Sequence, residues 1–137
     1  VNQAIGTISG GTIQNNTSTD YGGGLYISKA TVTITNVNIN NNTATNWSGG
    51  IGVWYTGVLY FKGGTVQNNT AGLNAGGIDV SRGASKLYMQ GGKVINNKCN
   101  STEYGGVGGV NIWKTDGATY YYSSGTISGN KPKNSNV

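Results

Sequence analysis

The chain has 137 residues, of which 25 are Gly and one is Pro, and nine basic against four acidic residues give it a net charge of +5. It has no His and only one Cys, which excludes an intrachain disulfide and any metal site built on a His or Cys cluster. The sequence shows no signal peptide and no membrane-spanning segment, so we expect no membrane insertion by this segment.

The chain repeats a short Asn-rich phrase. Asn15-Asn16-Thr17 returns as Asn41-Asn42-Thr43 and Asn68-Asn69-Thr70, at offsets of 26 and 27 residues, and as Asn96-Asn97-Lys98 after a further 28. The copies align on a motif of the form Gly-Gly-x-(Ile/Val)-x-x-Asn, and a period of this length indicates a solenoid. Five coils are visible, with apolar residues Ile13, Ile39, Val66, Val94 and Ile127 and with an asparagine column of Asn16, Asn42, Asn69, Asn97 and Asn130.

Two alternating strands flank this motif in most coils, and the first and third residues of each strand are predicted to face inward. The strand before the motif is Val32-Thr33-Ile34, Leu59-Tyr60-Phe61, Leu87-Tyr88-Met89 and Tyr120-Tyr121-Tyr122. The strand after it is Leu25-Tyr26-Ile27, Ile51-Gly52-Val53, Ile78-Asp79-Val80 and Val110-Asn111-Ile112.

Three short strands per coil predict a triangular rung, and rungs one repeat apart pair as parallel strands roughly 4.8 Å apart. Because parallel crossovers are overwhelmingly right-handed, we predict an all-β, right-handed parallel β-helix of roughly five coils, without helices. One solenoid domain is expected over residues 1–130, with a polar tail at 131–137. The inward ladders are Leu25, Ile51, Ile78 and Val110; Ile27, Val53, Val80 and Ile112; and Ile34, Phe61, Met89 and Tyr122.

The ends of such a solenoid carry unpaired backbone groups that can template another strand. The segment from Ile5 to Gly11 already aligns with the strand before a coil, so the chain is expected to start in mid-rung. We therefore expect it to adjoin further coils, either as a piece of a larger repeat protein or as a subunit that stacks end to end into a filament.

The asparagine column has two interpretations. In one, the five side chains stack their amides along the axis as a structural ladder. In the other, the repeats are N-glycosylation acceptors, because six asparagines begin Asn-x-(Ser/Thr). Crowding along the axis disfavours full occupancy, so the looser segments contain the better candidates. The six are Asn46 and Asn100, in those looser segments, and Asn15, Asn16, Asn41 and Asn68.

Outward-facing residues form further columns. Tyr60, Tyr88 and Tyr121 share one face, and Trp54 and Trp113 occupy equivalent places on another. Such aromatic columns either stiffen the sheet or contact a sugar or a neighbouring fibre. The basic residues Lys29, Arg82 and Lys114 occupy the same turn in different coils. We interpret them as charges exposed to solvent, in preference to a basic stripe that binds acidic polysaccharide. No nucleic-acid binding is predicted.

Catalysis is not expected, although many β-helices cleave polysaccharides. The four acids are Asp20, Asp79, Glu103 and Asp116. Asp20 and Glu103 occupy equivalent sites three rungs apart, roughly 14 Å, which exceeds the roughly 5 to 9.5 Å that a glycosidase pair needs. No catalytic residue, metal ligand or cofactor is predicted. Cys99 is interpreted as a small apolar filler, with a cross-link between subunits as the alternative.

Three phrases carry a family resemblance: Gly22-Gly23-Gly24-Leu25-Tyr26-Ile27, Gly63-Gly64-Thr65-Val66-Gln67-Asn68-Asn69-Thr70-Ala71 and Gly125-Thr126-Ile127-Ser128-Gly129-Asn130. Over most of the chain, the pattern resembles the polymorphic outer-membrane-protein repeats and related β-helical adhesin repeats of large surface proteins. The resemblance implies an extracellular or cell-surface role that is structural and adhesive, and it transfers no catalytic residue.

These observations together predict an extracellular, non-enzymatic β-solenoid rod, glycosylated where its sequons are open, that self-associates or continues into adjoining repeats. The first alternative is a carbohydrate-binding adhesin module that uses the Tyr and Trp columns. A polysaccharide lyase or hydrolase is a distant second alternative.

Overall fold

The computed structural model describes residues 3–104 and 106–137. These residues form an all-β solenoid of about five coils built from parallel sheets, which confirms the predicted parallel β-helix. The helical structure in the described part of the chain is a three-residue 3-10 turn, Lys114–Asp116.

Most strands have two to six residues, and successive strands form the sides of each coil. The first coil contains β1 (Ala4–Ser9), β2 (Thr12–Gln14), β3 (Thr17–Ser18) and β4 (Leu25–Ser28). The second contains β5 (Ala30–Thr35), β6 (Val37–Asn40), β7 (Thr43–Ala44) and β8 (Ile51–Trp54). The third contains β9 (Val58–Phe61), β10 (Gly64–Gln67), β11 (Thr70–Ala71) and β12 (Ile78–Ser81). The remaining strands are β13 (Lys86–Ile95), β14 (Lys98–Cys99), β15 (Val110–Ile112), β16 (Thr119–Ser128) and β17 (Ser135–Asn136).

Like strands stack on like in three parallel sheets. The largest sheet has the order β1-β5-β9-β13-β10-β6-β2, with β16 paired to β13. It turns a corner of the rung because β13 pairs with β9 through its first half and with β10 through its second half. The other sheets have the orders β14-β11-β7-β3 and β17-β15-β12-β8-β4.

The predicted inward ladders form the core. Ile51 pairs with Ile78 and Val53 with Val80, as the repeat alignment predicts, and all four are fully buried. The prediction was wrong for one member of the third ladder, since Tyr122 is 59% exposed. It lies on β16, whose strand pairing in the described residues is with β13 alone, and its hydroxyl donates to the Gly125 carbonyl at 3.0 Å.

Each Asn-Asn pair divides two tasks between its residues. The first asparagine turns the chain in the left-handed region, which Asn tolerates better than most residues because its short polar side chain bonds locally. Its φ lies between 55° and 59° at Asn15, Asn41, Asn68 and Asn96. The second asparagine points into the rung and is described below.

A glycine column beside the third sheet lets successive coils approach closely. A Cβ on Gly50 would lie 2.6 Å from the Gly77 carbonyl oxygen and 3.1 Å from Asn69 Nδ2 of the next coil. Gly77 has the same surroundings one coil later, against Gly109 and Asn97. Any side chain here would displace the ladder asparagine, which explains why the repeat keeps glycine next to it.

Residues 131–137, expected from the sequence to be a polar tail, add a further strand to the solenoid. β17 pairs in parallel with β15, with Ser135 opposite Val110 and Asn136 opposite Asn111. Asn134 then lies opposite Gly109, in the glycine column, because the Val110 N–H donates to the Asn134 carbonyl at 3.0 Å.

Candidate functional site

The asparagine column is a continuous buried ladder. Asn69 is typical: its backbone N–H and its Nδ2 both donate to Asn97 Oδ1, at 3.0 and 2.9 Å, and Nδ2 also donates to the Ile39 carbonyl at 3.0 Å. The same bonds join Asn16 to Asn42, Asn42 to Asn69 and Asn97 to Asn130. Because Asn42, Asn69 and Asn97 are at most 1% exposed, these amides hold the coils together and offer no surface to a ligand.

The six sequons differ in how open their side chains are. Asn15, Asn41 and Asn68 are exposed at the left-handed corner, one coil above another. Asn16 is exposed, but its Nδ2 is bonded to Asn42 Oδ1. Asn46 is half-buried, and its Nδ2 donates to Asp20 Oδ1 at 3.2 Å. Asn100 is exposed and is fixed through its backbone N–H, which donates to the Ala71 carbonyl.

The predicted tyrosine column exists and is a stack. The rings of Tyr60 and Tyr88 lie 4.5 Å apart at 12°, and those of Tyr88 and Tyr121 lie 4.6 Å apart at 10°. Each ring therefore covers the face of its neighbour, and both faces of Tyr88 are occupied. A sugar that stacks on an aromatic face finds little free surface here, which favours the interpretation that this column stiffens the sheet.

Trp54 does not lie on an open face, and the prediction that it does was wrong. It is 1% exposed, with the rings of Tyr21 and Trp47 at 4.8 and 5.8 Å from its own. Its indole Nε1 donates to Asp79 Oδ2 at 2.6 Å. A large outward ring with apolar neighbours in adjacent coils is covered by them, since that removes its area from water. Trp113, in the equivalent place, is half-buried.

Asp79 also points outward from its strand and is nevertheless fully buried. Its carboxylate accepts hydrogen bonds from Trp54 Nε1, from Asn111 Nδ2 at 2.8 Å and from Ser81 Oγ at 3.3 Å. Burial disfavours the ionised form and raises the pKa of Asp79 from 3.8 to about 6, although the hydrogen bonds from Asn111 and Trp54 act in the opposite direction.

Asn74 links this buried acid to the surface above it. In one orientation its amide donates to Asp79 Oδ2 at 3.3 Å. In the other it donates to the Tyr104 carbonyl at 3.0 Å and accepts from Trp113 Nε1 at 3.2 Å. The second orientation pairs two groups instead of one and turns the amide oxygen toward Asp79, an arrangement that a proton on Asp79 would bridge.

Above these groups lies an aromatic cleft of about 270 Å³. Its floor is the buried pair Trp54 and Asn74, and its walls combine half-buried indoles with exposed charged and aromatic groups. The walls are formed by Trp47, Trp113, Tyr104, Arg82 and Asp116.

A wider cavity of about 710 Å³ meets the aromatic cleft at Arg82 and Asp116, which line both. The Arg82 guanidinium carbon lies 5.6 Å from the centre of the Trp54 ring, a cation–π contact that holds it between the two depressions. Lys29 lines the wider cavity, whereas Lys114 lines neither. The predicted basic column therefore brings two of its three cations together. The other residues lining the wider cavity are Gln3, Tyr55, Thr56 and Gly83.

The acidic residues do not form a pair that faces open solvent. Asp79 is enclosed, Asp20 accepts from Asn46, and Glu103 and Asp116 are exposed on different segments. Residues 3–104 and 106–137 contain no group of three or more His, Cys, Asp or Glu that could hold a metal ion. In the same residues no helix has the length and apolar character needed to cross a bilayer.

Cys99 is enclosed in the second sheet, opposite Ala71, with 5% of its surface exposed. Its Sγ donates to the Leu73 carbonyl at 2.6 Å, and burial raises the pKa of the thiol. A buried thiol held in its protonated form reacts slowly, so these contacts support the filler interpretation over the cross-link.

Sequence reasoning missed Trp47, Asn74 and Tyr104, which complete the aromatic cleft. Trp47 and Tyr104 lie in the segments just before the glycine pairs, where the repeat alignment is least regular. A shared sequence pattern could have indicated one of them: Asp20-Tyr21-Gly22-Gly23 resembles Glu103-Tyr104-Gly105-Gly106. The acids of this pattern form no site together, but its tyrosines pack on tryptophans, Tyr21 on Trp54 and Tyr104 on Trp47.

Comparison of the chain with protein-family models, with curated proteins and with solved structures finds no match.

Proposed function

We propose that this chain is a non-enzymatic structural segment of an extracellular or cell-surface fibre of the adhesin type, in which coils stack on further coils. The observation that supports this is the asparagine ladder, which repeats the same coil-to-coil bonds along the whole solenoid. Continuous ladders of this kind make a rod whose stability comes from contacts between neighbouring coils, and every added coil extends them.

The amino-terminal face is the side that receives the next coil. In the described residues, β1 to β4 each pair on one side only, and Ile5 on β1 is 85% exposed. An edge with free backbone groups and an exposed apolar side chain is stabilised by another parallel strand. The partner is a second copy of this chain or an adjoining repeat.

Electron microscopy and sedimentation at rising chain concentration test this proposal. We expect fibres in which a rung spacing of roughly 4.8 Å continues across subunit junctions. The Gly10 N–H donates to the Thr35 carbonyl at the end of β5, so the even-numbered N–H groups of β1 face β5 and the odd-numbered ones face the open side. Thr7→Pro therefore removes a donor from the open edge and should block growth, whereas Lys62→Gln, at an exposed position of a later coil, should not. Monomers at every concentration, with both variants behaving alike, would contradict stacking of copies.

Glycosylation of the fibre belongs to the same proposal, and Asn100 is its best site. Its side chain is exposed in an insertion, whereas the Asn16 amide is bonded into the ladder. Mass spectrometry of the natively produced protein is expected to find glycan lost in Asn100→Gln and unchanged in Asn16→Gln. Glycan confined to Asn16 would contradict this assignment.

A second candidate function is carbohydrate binding, and the aromatic cleft favours it. Half-buried indoles beside polar groups are suited to sugars, which present both apolar C–H faces and hydroxyls. We expect Trp113→Ala to abolish binding to a glycan array and Tyr88→Ala, in the stacked column, to leave it unchanged. Trp54 is unsuitable for this test because its loss would open the core above Asp79.

A further inference from the structure

We propose that the aromatic cleft and the wider cavity form one elongated site for an acidic oligosaccharide, whose carboxylate is bound by Arg82 between them. This inference rests on the second candidate function, carbohydrate binding, and names its ligand class. A uronic acid unit has both of the required features: a ring with an apolar face and a carboxylate at its edge.

Arg82 lies where the ligand would cross from one depression to the other. It lines both cavities, and its guanidinium lies over Trp54, whose ring is itself fixed by the hydrogen bond to Asp79. A guanidinium held in this way has lost part of its side-chain freedom before the ligand arrives. Arginine binds carboxylates through two parallel hydrogen bonds, so this geometry favours a carboxylate ligand over a neutral hydroxyl.

The aromatic cleft supplies the surface for the sugar ring. Trp113 is oriented by its Nε1 contact with Asn74, and Trp47 packs against Trp54 at 5.8 Å. Tyr104 lies edge-on to Trp47 at 6.4 Å and remains 58% exposed, so it can contact a ligand above the indoles. A ligand without a ring would leave this apolar surface unused.

The charges around the wider cavity agree with an acidic ligand. Lys29 and Arg82 face Asp116 there, so the cations outnumber the acid by one, and the whole chain carries +5. Lys29 and Arg82 occupy the same turn two coils apart, roughly 10 Å along the axis, which suits contacts to more than one unit of a chain. Asp116 can accept hydrogen bonds from sugar hydroxyls, as carboxylates do in such sites.

Titration calorimetry with a galacturonic acid trisaccharide tests the proposal, with its methyl ester and a short polyglutamate as competing probes. We expect the acid to bind, and the ester and polyglutamate to bind at least about tenfold more weakly. Arg82→Gln should weaken the binding of the acid by a similar factor and leave the binding of the ester unchanged. Lys62→Gln removes the same charge away from the site and should have no effect.

The other outcomes separate the two hypotheses. Equal binding of acid and ester would leave carbohydrate binding standing and overturn the carboxylate assignment. Equal binding of polyglutamate would show charge attraction alone and would also overturn it. If neither sugar binds, the uronic acid assignment is overturned, and the glycan array with Trp113→Ala decides whether the second candidate function stands. If Arg82→Gln also changes the thermal unfolding midpoint, Arg82→Lys separates the loss of binding from the loss of stability. This variant keeps the charge and should restore only part of the affinity for the acid.

Discussion

At the residue scale, the buried carboxyl group of Asp79 makes the stability of the fold depend on pH. Burial raises its pKa from 3.8 to about 6, so between those values the folded chain keeps a proton that the unfolded chain has lost. The free energy of unfolding should therefore fall as the pH rises from about 4 to about 6, by about 3 kcal/mol in total. Below that window both states are protonated and the full contribution is present; above it both are ionised and the contribution is lost.

Urea unfolding at several pH values between 3.5 and 7, roughly half a unit apart, measures this effect. Asp79→Asn keeps the size of the side chain and cannot titrate, so its profile should lack the fall that the wild type shows. Asp116→Asn, at an exposed acid, should follow the wild type. Parallel profiles for the wild type and Asp79→Asn would refute the prediction.

Asp79 and Trp54 also show what strand alternation can and cannot predict. The alternation correctly placed both on the outward side of their strands, because side chains point to opposite faces with period two. It could not indicate that Tyr21, Trp47 and Tyr104 would cover that face, since these residues lie in turns, outside the alternating strands. Outward and exposed are therefore different properties in a solenoid with long turns.

At the scale of elements, the asparagine ladder makes one internal residue critical for two neighbouring coils. Asn69→Ala removes the Oδ1 that accepts from the backbone N–H and the Nδ2 of Asn42. It also removes the Nδ2 that donates to the Ile39 carbonyl and to Asn97 Oδ1. Each buried group left unsatisfied costs about 1–3 kcal/mol, so we expect a total loss of about 3 kcal/mol or more.

Asn16→Ala provides the matched comparison. The Asn16 side chain is exposed in the first coil and makes one hydrogen bond, from Nδ2 to Asn42 Oδ1, so its loss should cost about 1 kcal/mol or less. Chemical denaturation of both variants gives the two values. Similar small losses would mean that the ladder follows from the backbone pairing and does not contribute to holding the coils.

The ladder and the strands were predictable because their period is the same in every coil, whereas the aromatic cleft was not. The column from Asn16 to Asn130 could be aligned by eye, and its register agrees with the strand pairs. Segments such as 100–109 vary in length between coils, so alignment says nothing about where their side chains lie. The predicted burial of Tyr122 was wrong for a related reason, because an inward-facing side chain is buried only when a further coil covers it.

At the scale of the whole molecule, the two ends of the solenoid differ. At the amino-terminal face the last ladder residue, Asn16, is exposed. At the other end Asn130 donates through its backbone N–H to Asn134 Oδ1 at 2.9 Å and through Nδ2 at 3.3 Å, as it would to the ladder asparagine of another coil. Asn134 stands in the glycine column, where all preceding coils have Gly because the neighbouring amide occupies the space. Its side chain thus fills the acceptor position that a stacked coil would need.

This asymmetry predicts that Asn134 limits growth at the carboxyl-terminal face. Asn134→Gly restores the glycine of the column and frees the Asn130 donors, so a second copy can supply Asn16 Oδ1 in its place. We expect the variant to form fibres at a lower chain concentration than the wild type, measured by light scattering and electron microscopy. Lys133→Gly changes the neighbouring exposed residue, keeps the carbonyl that accepts from Gly108, and should assemble as the wild type does. If both glycine variants assemble alike, Asn134 is only one more turn residue, and growth is controlled by the exposed strand β1.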